Sequence, residues 1–196
     1  HADIHLAPLD AAPNRPATAE QHFQSVLSKA PQNMNALIGM AMLAERDNDR
    51  PGMYDWLAKA QQRNPKSSKP GILLVQSHLK DGDTLKALQA ARELAATFPD
   101  QSAVLRVLGL AQLAAGEASS AVRSFEQLIE KQPAVENQLL LARAQVAASN
   151  ETGARQSLRQ ALSVNPGYLP AQVMLTSLDL QAGNHDAALQ RALTMQ

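Results

Sequence analysis

The chain has 196 residues, with 18 basic and 18 acidic side chains and no cysteine. The charges balance locally as well, 11 basic to 10 acidic through residue 98 and 7 to 8 beyond it, so no strong field draws phosphate backbone or anionic lipid. Without cysteine there are no disulfides, zinc ribbons or thiol catalysis, although no redox compartment is thereby assigned, and the apolar stretch 104–115 carries Arg106 and Gln112 and falls short of the about 20 residues that span a bilayer.

Residues 1–16 contain Pro8, Pro13 and Pro16, which remove backbone donors and restrict their neighbours, and they read as an extended lead-in. The abrupt opening His-Ala-Asp-Ile-His and the ending Thr-Met-Gln inside a helical pattern read as a segment of something longer. A signal sequence or lipid-anchoring cysteine would then lie outside it.

From residue 17 onward the chain is periodic. Pro31, Pro65, Pro99, Pro133 and Pro166 recur at intervals of 34, 34, 34 and 33 residues, the mark of one supersecondary unit copied and stacked. In such an array regular positions report packing, and function is sought at irregular ones. The pattern predicts eleven helices, in chain order near 17–30, 33–47, 51–63, 68–81, 84–97, 101–115, 118–131, 135–149, 152–164, 169–182 and 185–196. The first is an orphan second helix, and the repeats follow at 31–64, 65–98, 99–132, 133–165 and 166–196.

Within each repeat the first helix is expected to close at Asn48, Gly82, Gly116, Asn150 or Gly183, residue types that tolerate the left-handed conformation. Asp83, Glu117 and Asn184 follow, of which Asp83 and Asn184 are good N-caps. The proline then ends the second helix, and Pro70 and Pro170 fall where a helix's first turn accepts them. The fold class expected is all-α.

Aligned on the prolines, the second helices show Ala19, Met53, Ala87, Ala121, Ala154 and Ala188, then Phe23, Leu57, Ala91, Phe125, Leu158 and Ala192, then Val26, Ala60, Leu94, Leu128, Ala161 and Met195. With proline closing the unit, this resembles the tetratricopeptide repeat (TPR), over residues 17–196. The resemblance implies a right-handed α-solenoid of antiparallel helix hairpins. Departures exist. The small residue expected in the first helix is Ala41 or Gly109 but also Val75, Arg143 and Thr176, and the usual tyrosine site holds Ala44, His78, Gln112, Val146 and Asp179.

Segments 55–60, 106–117 and 168–172 are similar, more narrowly, to the TPR-repeat lipoproteins of the PEP-CTERM and exosortase system, found in Gram-negative bacteria beside exopolysaccharide genes. That likeness implies a lipid-anchored periplasmic or envelope protein with further repeats, touching membrane only through an anchor outside this chain.

Candidate chemistry is sparse. His1, His5, His22, His78 and His185 form no HExxH pair, and His78, on the family's tyrosine site, reads as a packing residue. Serines form no Gly-x-Ser-x-Gly elbow, no glycine loop cradles phosphate, and the i, i+4 pairs Glu45 with Asp49 and Glu126 with Glu130 read as solvated helix faces. No catalysis, metal or cofactor is expected. From Arg50 to Lys80 six basic residues oppose Asp55 alone, which marks either a solvated loop around Lys66 and Lys69 or an acidic partner. Helical repeats that read RNA are generally basic overall, so nucleic acid is not an expected partner.

In the TPR family the first helices line a concave face. The resemblance assigns to it Asn35, Ile38 and Met42; Lys69, Ile72 and Gln76; Ala103, Arg106 and Leu110; Asn137, Leu140 and Ala144; and Pro170, Val173 and Ser177. This is an apolar groove with polar handles, suited to a partner helix or extended peptide, or alternatively packing between neighbouring first helices. The basic and asparagine set of carboxylate-clamp TPR domains is missing. Two functions result as expectations: a non-catalytic scaffold for a protein or peptide partner in exopolysaccharide export or envelope protein sorting, and a periplasmic module guiding polysaccharide. Trp56, Tyr54, Tyr168 and three phenylalanines are few for sugar stacking. Oligomeric state is not legible.

Overall fold

The structure is a computed structural model that describes residues 15–193, all helix and connecting turns, with eleven helices among the described residues. In chain order they are α1 (Arg15–Lys29), α2 (Met34–Arg46), α3 (Arg50–Arg63), α4 (Lys69–Lys80), α5 (Thr84–Thr97), α6 (Ser102–Ala114), α7 (Ala118–Lys131), α8 (Val135–Ala147), α9 (Glu151–Val164), α10 (Leu169–Gln181) and α11 (His185–Leu193). The lead-in through residue 14, with His1 and His5, lies outside the described residues, as does Met195, while Arg15 and Pro16 already belong to α1. No described helix is long and apolar enough to cross a membrane.

The chain divides into two compact units at Pro70. In the first, α2 buries Ala36, Leu37, Ile38, Met40 and Ala41, and α3 contributes Met53, Leu57 and Ala60. The Phe23 ring of α1 lies on the backbone of Gly39, where a Cβ would meet it at 2.5 Å. The chain enters α2 and α3 through side-chain caps: Asn33 accepts from the Ala36 N–H at 3.0 Å and Asp49 from the Gly52 N–H at 2.9 Å. At the far end Arg63 donates to the Pro31 carbonyl and Asn64 to that of Gln32, at 3.0 and 3.2 Å, tying the α1–α2 turn to the end of α3.

The second unit, from Gly71, stacks the remainder of α4 through α11 around three successive cores. Each second helix supplies an apolar stripe at i, i+4 and i+7: Ala87, Ala91 and Leu94; Ala121, Phe125 and Leu128; Ala154, Leu158 and Ala161, all buried. These are the positions read from the repeat. In α11 only Ala188 is buried, and Ala192 is exposed. Phe125 fits because its hairpin partner is Gly109, where a Cβ would stand 2.5 Å from the ring.

Every hairpin is closed by the same backbone bond. The N–H of Asp49, Asp83, Glu117, Asn150 and Asn184 donates to the carbonyl five residues earlier, of Ala44, His78, Gln112, Gln145 and Asp179, at 2.7–2.9 Å. This closure needs a left-handed residue just before the donor, and Asn48, Gly82, Gly116, Ser149 and Gly183 have φ of 61, 77, 81, 59 and 75°. Ser149, not Asn150, is therefore the left-handed residue of the fourth hairpin. Asn150 is the N-cap of α9, accepting from the Gly153 N–H at 2.9 Å.

This shift locates the missing residue of the 33-residue interval. α8 begins two residues after Pro133, whereas α6 and α10 begin three after Pro99 and Pro166. In the other connectors a backbone N–H, of Asn33, Ser67, Gln101 or Tyr168, bonds the carbonyl that ends the preceding helix. After Pro133 the corresponding Gln132 carbonyl instead accepts from Asn137 Nδ2 at 2.8 Å. A buried side chain replaces the turn bond that the shorter connector lacks.

Register within the hairpins brings residues 12 apart into contact. Ser124 donates to Gln112 and Ser157 to Gln145, both buried, at 2.7 and 2.8 Å. At the equivalent place in the last hairpin Arg191 donates to Asp179 at 2.9 Å. Arg155 reaches across from α9 to the other Asp179 oxygen, and also to the Leu178 carbonyl at 2.7 Å and Glu151 at 2.8 Å. Burial raises the Asp179 pKa, but the hydrogen bonds from Arg155 and Arg191 outweigh it and hold the carboxyl below the ordinary range.

Two stability predictions come from these features. Ser149→Gly relieves a left-handed serine and is expected to stabilise the chain by up to about 1 kcal/mol, raising the thermal midpoint by a few degrees in a calorimetric scan. Asp179→Asn removes the buried carboxylate shared by the partly buried guanidinium groups of Arg155 and Arg191, and is expected to cost about 3 kcal/mol at neutral pH in urea titration. Because the folded pKa of Asp179 lies below its unfolded value of about 3.9, its contribution is complete above that pH and lost as pH falls through the folded value. The variant's stability should therefore fall less steeply with acid than that of the wild type.

Candidate functional site

In the first unit Asn35 and Met42 are exposed on α2, Met42 to 65%, while Ile38 between them is buried at 7%. Lys69 is exposed at the start of α4. In the second unit Gln76, Ala103, Pro170, Val173 and Ser177 are exposed and Ile72, Arg106 and Leu110 half-buried. Leu140 is half-buried too. Asn137 and Ala144, however, are fully buried, and they are corrected here as core positions rather than open surface.

The cause is the short connector after Pro133. One residue fewer before α8 turns the helix ~100° relative to a proline-based alignment. The residues that take the exposed-face places are Glu136, Leu139 and Arg143, of which Glu136 and Arg143 are exposed and Leu139 is buried like Ile38. Asn137 instead shares the buried series of Ala36, Pro70, Val104 and Ala171. The same correction removes one departure from the repeat pattern and brings a second into line with its neighbour. Ala142, buried, takes the place of Gly109, and Gln145, not Val146, takes the place of Gln112.

Asn137 remains connected to this face through Arg106, whose Nη2 donates to Asn137 Oδ1 at 2.6 Å and so spans from α6 to α8. Asn137 thus uses its oxygen on Arg106 and its nitrogen on Gln132. Arg143 makes no hydrogen bond or ion pair among the described residues, and its guanidinium is open to a ligand. Leu110 and Val173 offer apolar surface on the first helices of the flanking repeats, Val173 at 53% exposure. The face can bury an apolar side chain and hydrogen-bond a carbonyl or carboxylate.

The other candidates are accounted for by structure. Burial pushes His78 below its ordinary value, and the attraction of Asp83, 3.9 Å from Nδ1, does not offset it. His22 packs edge-on to Phe23, and His185 is exposed. Asp49 is an N-cap rather than an acid paired with Glu45, and Glu126 and Glu130 are exposed. No group of three metal-ligating side chains occurs among the described residues.

A family model described as the tetratricopeptide repeat matches residues 72–135 and 107–168. Among solved structures, a MamA fragment from Desulfovibrio magneticus RS-1 superposes with a TM-score of 0.73 at 12% identity, over 83% of this chain and 92% of that one. TTC0263, a thermophilic TPR protein of Thermus thermophilus, gives 0.64 at 19% identity over 85% and 91%. YrrB, described as a TPR protein with an unusual peptide-binding site, gives 0.65 at 15% identity over 81% and 82%. No curated protein matches the chain by sequence. The family match and the shared fold together support the tetratricopeptide repeat family.

Asn137→Ala strips the Gln132 carbonyl of its donor and Arg106 of its acceptor in a fully buried place. It is expected to lower unfolding free energy by about 2 kcal/mol in urea titration, with helicity retained.

Proposed function

We propose that this tetratricopeptide-repeat chain is a non-catalytic scaffold that holds a segment of a partner protein on the exposed face of its first helices. The observation that carries the reading is that, in the second unit, exposed Val173 and half-buried Leu110 occupy equivalent first-helix places to an uncommitted cation, Arg143, and to Gln76 and Glu136. Apolar surface beside a few polar groups suits a helix or extended peptide. None of the residues assigned to the face is aromatic, which favours protein over the alternative of a module guiding polysaccharide.

The likeness of segments 55–60, 106–117 and 168–172 to the PEP-CTERM lipoproteins supports a role in exopolysaccharide export or envelope protein sorting, on a lipid-anchored protein in the periplasm of a Gram-negative bacterium. The peptide-binding description of YrrB, a protein of the same fold, is consistent with a peptide ligand.

The test is affinity capture from envelope extract, comparing wild type with Arg143→Glu, Val173→Asp. Both side chains are exposed, so the variant should keep its circular dichroism and melting point. A partner retained by the wild type and reduced at least tenfold by the variant is expected. Equal capture, or retention of oligosaccharide in place of protein, would remove this face as a protein site.

A further inference from the structure

A second site lies in the first unit, away from the first-helix face. Leu27, Pro31, Leu37, Trp56, Lys59 and Arg63 line an open surface cavity of about 250 Å³ built from α1, α2 and α3. Arg63 also borders a neighbouring hollow of about 390 Å³, formed with Asn64, Pro65, Lys66 and Ser67.

Trp56 is out of pattern here. Its places in the later second helices hold Ala90, Ser124, Ser157 and Arg191, and Ser124 and Ser157 turn to a glutamine of their own first helix. In this hairpin the glutamine's place is Ala44, so no such bond is available to the residue at 56. Hairpin closure does not call for a tryptophan, and Trp56 is only half-buried. It lines the cavity together with the apolar side chains of Leu27 and Leu37.

The rim is cationic. Lys59 Nζ sits 4.5 Å from the Trp56 ring centroid and 2.7 Å from Asp55. Arg63 is held by its bond to the Pro31 carbonyl, which leaves its other N–H donors uncommitted. From residue 59 to residue 69 the chain carries Lys59, Arg63, Lys66 and Lys69 and no carboxylate. Basic residues in a last helical turn complement the helix dipole, which accounts for Arg63 but not for Lys66 and Lys69 beyond the helix end.

We propose that this cavity binds a short acidic peptide segment of a partner protein, with an apolar side chain against Leu27, Leu37 and Trp56 and flanking carboxylates on Arg63 and Lys66. An apolar floor with a few placed charges is the usual make-up of a specific pocket, and cations around it select carboxylates. Nucleic acid fits less well, because one aromatic ring is not a stacking series and the chain is neutral overall.

Trp56 is the chain's single tryptophan, so its emission reads this site alone. The full chain is titrated with a capped peptide Glu-Leu-Asp-Glu-Leu-Glu, with its Gln and Asn isostere, and with an oligonucleotide of equal charge. The acidic peptide is expected to give a saturable emission change that weakens with salt, with the isostere at least tenfold weaker. Lys66→Glu, whose side chain makes no bond among the described residues, should weaken binding at least fivefold with helicity unchanged. Arg63→Gln should do the same, and if that variant loses helicity Lys66→Glu decides alone. Flat emission, equal binding of the isostere, tighter binding of the oligonucleotide, or an unaffected Lys66→Glu would each overturn the proposal. The Arg143→Glu, Val173→Asp variant should titrate like wild type, which separates this site from the first-helix face.

Discussion

The bond from each N-cap N–H back to the carbonyl five residues earlier is the constraint on which the rest depends. It fixes where the first helix stops and where the second starts, and so the register of one against the other. Once that register is set, residues 12 apart must meet, and stripes such as Ala121, Phe125 and Leu128 must face inward. The identity of the residue between the two helices matters less than its φ, since asparagine, glycine and serine all fill the place. The non-glycine cases carry a strain of about 1 kcal/mol that the packed hairpin sustains.

The place 12 residues before its partner shows how one geometry admits different chemistry. In two hairpins a neutral Ser–Gln bond fills it, at little desolvation cost. In the last, a buried carboxylate is compensated by two arginines, and the assembly is sound only while all three charges are present. Exposed pairs such as Arg92 with Glu117 lie between repeats as well, but screening leaves them little weight beside these buried groups. The apolar cores and the buried polar pairs therefore set stability, and surface charge is free to serve recognition.

Prolines and glycines made the period, the helix count and the inward stripes legible, because those residue types are demanded by backbone geometry that recurs in every unit. They did not show where the 33-residue interval loses its residue. Alignment on Pro133 placed the deletion after α8, which set Arg143 on the small-residue site, Val146 on the usual tyrosine site and Asn137 in the groove. A signal was present in the sequence. Moving α8 by one residue gives Ala142 the place of Gly109 and Gln145 the place of Gln112, so the small-residue misfit vanishes and the second site repeats its neighbour's glutamine. Ser149 hid the shift, since serine does not announce a left-handed turn as glycine does. The cavity beside Trp56 was less legible still, because it is built from three helices and no motif brings Leu27, Leu37 and Lys59 together in the chain.

Asn137 shows how a defect in the period and a surface can be linked. Shortening the connector removes one backbone bond, and an asparagine inside the core restores a donor to the orphaned Gln132 carbonyl. An asparagine carries an oxygen too, and a buried acceptor without a donor is costly. Arg106 of the preceding first helix supplies that donor and is thereby held at one orientation on the exposed face. The turn repair thus fixes one guanidinium, while the same rotation of α8 brings a second, Arg143, out of the expected small-residue place and onto that face. The irregularity in the period is in this way the source of the array's most chemically distinct surface.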